Sequence, residues 1–241
     1  RKYGVCPYEL ALDLSELCDV IICDYNYVFS PTVYLKRYFD GDMTDREKYI
    51  FLVDEAHNLP DRARDMFSSK LSSDDFSALL PLLEDKSPMR SACQSMLASF
   101  ERLAALCLDN MRCTDDGQRI GYSVSRQLPD KFFEDLLAFS RKCDAFLKRE
   151  TDSAAYFAAE ELAFKIFECK KTVESYDGRY ITYIHKNGES VSLLLYCLDP
   201  SKQLSALLDR ARASILFSAT LTPLDYFRGL CGSGGDAITL D

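Results

Sequence analysis

The stretch Tyr49-Ile-Phe-Leu-Val-Asp-Glu-Ala-His57 decides how this chain folds. Its apolar part, residues 50–53, has the length and the β-branched and aromatic content of a strand buried on both faces of a parallel sheet. The run ends abruptly in two adjacent carboxylates, Asp54 and Glu55, followed by His57. In open α/β sheets ligands bind in the crevice at the carboxyl ends of the strands. The acidic pair is therefore predicted to face a ligand.

The acidic pair is typical of nucleotide chemistry. Successive side chains of a strand point to opposite faces, so the two carboxylates can take separate roles. One can hold a hydrated Mg²⁺, while the other orients and deprotonates a water aimed at a γ-phosphate. The alternative is a buried strand that runs into an acidic helix start, with Asp54 or Asn58 as the cap. The order Asp-Glu-Ala-His directly after a strand favours the nucleotide site.

The sequence around this stretch alternates between strand and helix patterns at both ends of the chain. Such alternation predicts a parallel sheet with covering helices. Further buried strands are predicted over 19–24 and 213–217, and helices over 9–17, 31–39, 59–68 and 201–212.

Between these two ends the hydrophobic period changes to that of amphipathic helices packed on one another. A polar loop or short hairpin is predicted at 113–125. Residues 179–185 and 190–197 alternate in polarity around Asn187-Gly188, a strong hairpin turn. The four helical segments are 74–83, 90–111, 130–148 and 153–173.

A second motif, Ser218-Ala219-Thr220, also follows a predicted strand. Its two hydroxyls can bridge between His57 and a neighbouring domain or nucleic-acid strand. The alternative is a simple helix start, because Ser and Thr often cap helices and Thr222-Pro223 fits such a start.

The order of the two motifs resembles motifs II and III of superfamily 2 helicases, and a long helical insertion between them resembles the XPD/DinG-type iron–sulfur branch. Cys6-Pro7-Tyr8 is similar to the fourth cluster cysteine and the segment after it. Residues 19–27 are similar to the family's "ANVVIYNYQYL" stretch. Residues 197–201 resemble the re-entry to the motor domain, and 221–223 extend motif III as in the family.

The resemblance implies an α/β fold: a partial RecA-like parallel sheet with covering helices, interrupted by a mostly α-helical Arch-like insertion. Residues 1–69 would be the first part of motor domain 1, with the end of the iron–sulfur segment and the DEAH motif. Residues 70–189 would form the helical insertion with a C-terminal hairpin. Residues 190–241 would return to motor domain 1 and carry motif III.

The resemblance also implies residue roles. Asp54 would hold Mg²⁺ through water, and Glu55 would act as general base. His57 would couple the nucleotide state to motif III, formed by Ser218, Ala219 and Thr220. Cys6 would be one ligand of a four-iron four-sulfur cluster, whose other three ligands are absent from this chain.

The implied activity of the parent protein is that of an ATP-dependent DNA helicase with a role in DNA repair. It would use ATP and Mg²⁺ to translocate on single-stranded DNA, 5′ to 3′, and to unwind duplex and forked DNA. The chain has no G-x-x-x-x-G-K-[ST] loop, no initiator Met and no second motor domain. We therefore expect a fragment that is inactive alone. The resemblance implies a cytoplasmic, nucleoid-associated parent protein, and the character of the motifs favours a bacterial one.

Some aromatic and basic residues are candidates for contacts with single-stranded DNA. Tyr25 and Tyr27 are candidates for base stacking, although aromatics at a strand end more often pack. Lys142 and Arg149 are candidates for a local basic track, although acidic neighbours favour an ordinary solvated face. The alternative function is a non-catalytic module, in which the helical block binds protein partners and the α/β part is a scaffold.

Composition restricts these readings further. The net charge of −9 argues against a broad basic face for duplex DNA. No apolar run approaches the ~20 residues that span a bilayer. The ten cysteines lack paired spacing, which predicts free and often buried thiols, among them Cys93, Cys107, Cys143 and Cys169.

Overall fold

The computed structural model describes residues 4–40, 49–114, 117–232 and 237–240. Within these ranges the strands form two sheets, one parallel and two-stranded, the other antiparallel and five-stranded. Two hydrophobic cores accompany these sheets. The predicted α/β class, with a parallel sheet interrupted by an insertion, is confirmed.

The parallel sheet joins the two ends of the chain. Strand β1 (Ile50–Val53) pairs with β7 (Ala213–Leu216) in a register that opposes Val53 to Leu216. The core beside it contains Val53, Leu59 and Leu204. The helices on this side of the molecule are α2 (Asn26–Phe29), α4 (Leu59–Phe67), α9 (Ser201–Leu208) and α10 (Leu224–Leu230).

The predicted burial of both faces of these strands is wrong. Val53 is buried, but Ile50 is 60% exposed, Leu52 68% and Ile215 52%. An apolar run shows only that both faces of a strand can be buried. Actual burial requires another element of the structure to pack on each face. Among the described residues, only one face of this sheet is covered.

The strand predicted over 19–24 is also absent. The segment has no regular secondary structure, and its side chains are open to water, with Val20 75% and Ile22 96% exposed. A strand is stable only when a neighbour satisfies its backbone hydrogen bonds, and no described strand lies beside this segment.

Ion pairs join the first helix to a later one. Helix α1 (Pro7–Ser15) buries none of its residues. The guanidinium of Arg37, at the start of helix α3 (Lys36–Phe39), lies 2.8 Å from Asp13, 2.9 Å from Glu16 and 3.3 Å from Glu9.

The insertion is a layer of helices packed on the antiparallel sheet. Phe76 lies at its centre, with ring centroids 5.5 Å from Phe100 and 5.0 Å from Phe139. The four predicted helical segments are confirmed with shifted ends. The helices are α5 (Ser73–Leu79), α6 (Pro88–Ala105), α7 (Asp130–Leu147) and α8 (Ala154–Glu174).

The sheet of the insertion has the strand order β2-β6-β5-β4-β3. The predicted hairpin around Asn187-Gly188 is confirmed as β5–β6, and the region 113–125 contributes the hairpin β3–β4. The strands are β2 (Ser69–Ser72), β3 (Arg112–Cys113), β4 (Arg119–Ser125), β5 (Tyr180–Asn187) and β6 (Ser190–Cys197).

The pairing of β6 bears on the domain boundary. The resemblance places residues 190–197 in the returning motor domain, but β6 pairs with β5 on one side and with β2 on the other. Strands β2 and β6 thus carry the chain into and out of the insertion side by side. We propose that the insertion extends from Ser69 to Cys197, instead of ending at residue 189.

The cysteine prediction is confirmed. All ten cysteines are free, and Cys93, Cys107, Cys143 and Cys169 are buried. Burial raises the pKa of both Cys93 and Cys143 to about 12. None of the described helices combines the length and apolar character that crossing a bilayer requires.

Candidate functional site

The acidic pair lies on a turn at the end of β1. The strand stops at Val53, and Ala56–Asn58 form one turn of 3₁₀ helix that leads into α4. Between them, Glu55 has the left-handed backbone angles φ 49° and ψ 40°. A residue other than glycine in this region costs of order 1–3 kcal/mol and persists only where its surroundings enforce it. The two carboxylates are therefore separated by a turn, and not by strand alternation as predicted.

Backbone hydrogen bonds tie this turn to the second motif. The N–H of Phe217 donates to the carbonyl of Val53 at 3.0 Å, and the N–H of Ala56 donates to the carbonyl of Phe217 at 3.1 Å. The parallel pairing thus continues one step beyond the two strands. As a result, the residues after each strand emerge at the same edge of the sheet.

Side chains from the two motifs meet at this edge. His57 Nδ1 lies 2.7 Å from Ser218 Oγ and 3.2 Å from Glu55 Oε2. Ser218 Oγ donates to Glu55 Oε2 at 3.3 Å and lies 3.5 Å from Thr220 Oγ1. The N–H of Thr220 donates to Ser218 Oγ at 3.2 Å. These four residues, Glu55, His57, Ser218 and Thr220, are called the coupling cluster below.

The coupling cluster favours one proton arrangement. A serine hydroxyl has one proton and two acceptor lone pairs. If that proton goes to the Glu55 carboxylate, Ser218 Oγ accepts from the N–H of Thr220 and from a protonated Nδ1 of His57. Each group then has a partner of the right kind, and the carboxylate is held close to the imidazole.

Both carboxylates are exposed, and both suit a hydrated cation. Mg²⁺ prefers oxygen ligands and usually keeps several waters, so one or two carboxylates together with substrate phosphates are sufficient. The Asp54 carboxylate accepts the N–H of Glu55 at 2.8 Å, which orients it at the turn. The residues present therefore fit the predicted Mg²⁺ role of Asp54.

Tyr25 is a part of the site that sequence reasoning missed. The sequence leaves base stacking and ordinary packing open for this residue and gives no sign of a contact with the acidic pair. Its hydroxyl donates to the carbonyl of Asp54 and, at 2.9 Å, to the carbonyl of Glu55. Burial, followed by the charges of Asp54 and Glu55, raises the pKa of Tyr25. Only the position of Tyr25 in the sequence could have indicated this contact. The strand predicted over 19–24 would place Tyr25 at the same sheet edge as the acidic pair.

The remaining candidate residues lie apart from the coupling cluster. Lys142 on α7 and Arg149 just beyond it are exposed, and neither forms a salt bridge with another described residue. Ala219 links the two hydroxyl residues of motif III and is itself exposed. Cys6 is exposed before α1, and the described residues contain no group of three or more side chains arranged to bind a metal directly.

Comparisons with known proteins point to one family. The DEAD_2 family model matches residues 1–76. ATP-dependent DNA helicase CHL1 of Candida albicans is 24% identical over 265 aligned residues, which cover 93% of this chain and 30% of the relative. The Regulator of telomere elongation helicase 1 homolog of Anopheles gambiae is 35% identical over 75 residues, covering 31% of this chain and 7% of that protein. The predicted resemblance to XPD/DinG-type iron–sulfur helicases is confirmed.

The matches that run along most of this chain cover only part of the matched proteins. The chain spans less than a third of the length of the curated relatives that it matches along most of its own length. A solved structure titled "XPD_APO" covers 86% of this chain and 36% of that one, with a TM-score of 0.47 and 17% identity. The two helicase relatives come from a yeast and an insect, so the expected bacterial origin finds no support.

Proposed function

We propose that this chain forms part of the first motor domain of an ATP-dependent DNA helicase of the XPD/DinG type, together with that domain's insertion. The observation that carries the proposal is the coupling cluster. It joins the DEAH turn to the Ser-Ala-Thr segment across 161 residues of sequence. The relatives are named as helicases, which supports the same interpretation.

The proposed chemistry assigns each residue a distinct task. Asp54 holds a hydrated Mg²⁺ beside the triphosphate, and Glu55 takes a proton from the water that attacks the γ-phosphate. His57 and Ser218 contact the Glu55 carboxylate, so a change in the charge or position of that carboxylate alters the contacts of motif III. Through that contact, nucleotide hydrolysis is coupled to movement on DNA.

The DNA substrate, the direction of movement and the cofactors are part of the same proposal. In the parent protein the motor acts on single-stranded and forked DNA, moves 5′ to 3′, uses ATP and Mg²⁺, and contains a four-iron four-sulfur cluster with Cys6 as one ligand. Lys142 and Arg149 contribute a weak basic track. The isolated chain hydrolyses no ATP, and the cytoplasmic location stays a prediction.

The test is Glu55→Gln in the full-length protein. The variant keeps the shape of the side chain but removes the base, so we expect DNA-stimulated ATP turnover to fall at least about a hundredfold, in line with the loss of a general base. Binding of a fluorescent ATP analogue should change little. The control is Asp65→Asn, which neutralises an exposed carboxylate on α4 away from the cluster. Near-normal turnover in Glu55→Gln would remove the assignment.

One observation favours the alternative, a protein-interaction module. Phe157, Phe164 and Phe167 on α8 are each at least 42% exposed and recur at helical spacing. If this face carries the function, Phe157→Ser with Phe164→Ser would abolish cellular complementation, whereas Glu55→Gln would not. The motor proposal expects the opposite result.

A further inference from the structure

The strained backbone of Glu55 requires a support that the coupling cluster does not supply. The contacts to His57 and Ser218 hold the carboxylate end of the residue. They do not hold its backbone in the left-handed region, where a residue with a side chain is disfavoured. A backbone that relaxed from φ 49° would carry the carboxylate away from both partners.

The hydroxyl of Tyr25 meets the backbone at this point. It donates to the carbonyl oxygens of Asp54 and Glu55, the two residues that form the turn. A single donor that reaches two successive carbonyls restricts the orientation of both peptide groups. The contact is thus suited to holding the turn, whereas one hydrogen bond to one carbonyl would still permit rotation.

Tyr25 is itself fixed to the core that supports β1. Its ring packs edge-on against Phe29, with centroids 6.3 Å apart, and Phe29 is buried. Phe29 in turn packs edge-on against Phe51 of β1 at 6.5 Å. The hydroxyl and the turn are therefore attached to one packed unit, so the donor does not move independently of its acceptors.

We propose that Tyr25 is a positioning residue for the general base: its hydroxyl holds the backbone of Asp54 and Glu55 so that the Glu55 carboxylate stays beside His57 and Ser218. The inference rests on the proposed function of Glu55. Tyr25 touches neither nucleotide nor water in this role, and it acts only through the turn.

The experiment is Tyr25→Phe in the full-length protein, with DNA-stimulated ATPase kinetics as the readout. The change removes one oxygen and keeps the ring contacts. We expect kcat to fall about five- to tenfold, the factor for one or two hydrogen bonds from a neutral donor. The KM for ATP should stay within about twofold, because the groups that bind the nucleotide are unchanged. The matched control is Tyr196→Phe on β6. The Tyr196 hydroxyl makes no hydrogen bond to the described residues, so this variant should retain full kcat.

A second measurement separates positioning from a general loss of structure. In a Glu55→Gln background, Tyr25→Phe should leave the residual turnover unchanged, because the base on which it acts is already gone. A further drop in that background, an unchanged kcat in the single variant, or an equal rise in KM would each overturn the inference. The proposed function has its own test. If Glu55→Gln stays active, that proposal fails, whereas an inactive Glu55→Gln with a fully active Tyr25→Phe refutes the positioning role alone.

Discussion

Ser218→Ala is the sharpest single perturbation of the coupling cluster. The serine hydroxyl is the one atom that contacts both His57 and Glu55 and also accepts the N–H of Thr220. Alanine removes that atom, and with it the acceptor of the Thr220 N–H, but keeps the Cβ. We expect slower DNA-stimulated ATP hydrolysis in the full-length protein, with nucleotide affinity preserved.

The size of the effect can be worked out from the contacts. A hydrogen bond between neutral groups contributes about 0.5–1.5 kcal/mol, and one to a charged group about 1.5–3 kcal/mol. Ser218 is partly exposed, so water replaces part of the lost interaction. We therefore expect a loss of about 1 kcal/mol in transition-state stabilisation, which corresponds to roughly a fivefold decrease in kcat.

The assay is a double-mutant cycle with His57→Ala, measured as kcat. If the 2.7 Å contact couples the two motifs, the double variant should be less impaired than the product of the two single effects, with a coupling energy of about 1 kcal/mol. Ser214→Ala is the control. It removes a hydroxyl on β7 that donates to the Leu208 carbonyl, away from the cluster. Additive effects within about 0.3 kcal/mol would refute the coupling role.

Three further predictions concern the insertion and its surroundings. Phe76→Ala should lower the free energy of unfolding by about 3–5 kcal/mol in urea titrations, because it empties a fully buried site, whereas the exposed Phe157→Ala should change it by less than about 0.5 kcal/mol. Iodoacetamide at about pH 8 should modify only the exposed cysteines of the native chain, because Cys93 and Cys143 are buried and their pKa values are raised to about 12. Modification of these two cysteines without denaturant, detected by mass spectrometry, would contradict this prediction. Hydrogen bonding from Ser99, followed by contacts with Lys131 and Arg102, lowers the pKa of Asp135 in the folded chain. The ionised carboxylate therefore contributes its full stabilisation above the unfolded pKa of about 4, and this contribution is lost as the pH falls through the lower folded pKa. Asp135→Asn should accordingly flatten the decline in the free energy of unfolding below about pH 4.

The amino-acid sequence alone was sufficient to predict much of the fold and the location of the candidate site. Helical periodicity located the four helices of the insertion, with ends that differ from the observed ones by up to six residues, because their packing faces recur at 3.6-residue spacing. Asn187-Gly188 located the β5–β6 hairpin, since only a few residue pairs suit such a turn. The DEAH and Ser-Ala-Thr segments identified the candidate site, because both follow strand-forming runs.

Tertiary structure decided the rest. The strand predicted over 19–24 and the double burial of β1 depend on neighbours that a local apolar pattern does not contain. The pairing of β6 with β2, which lies more than a hundred residues earlier in the chain, could not be predicted from a local pattern, and the proposed boundary of the insertion rests on it. Sequence named Glu55, His57 and Ser218 as candidates, but their contact distances depend on the register of β1 with β7. The left-handed turn at Glu55 and its support by Tyr25 arise from the same cause: hydrogen bonds between segments distant in sequence exist only once the chain has folded.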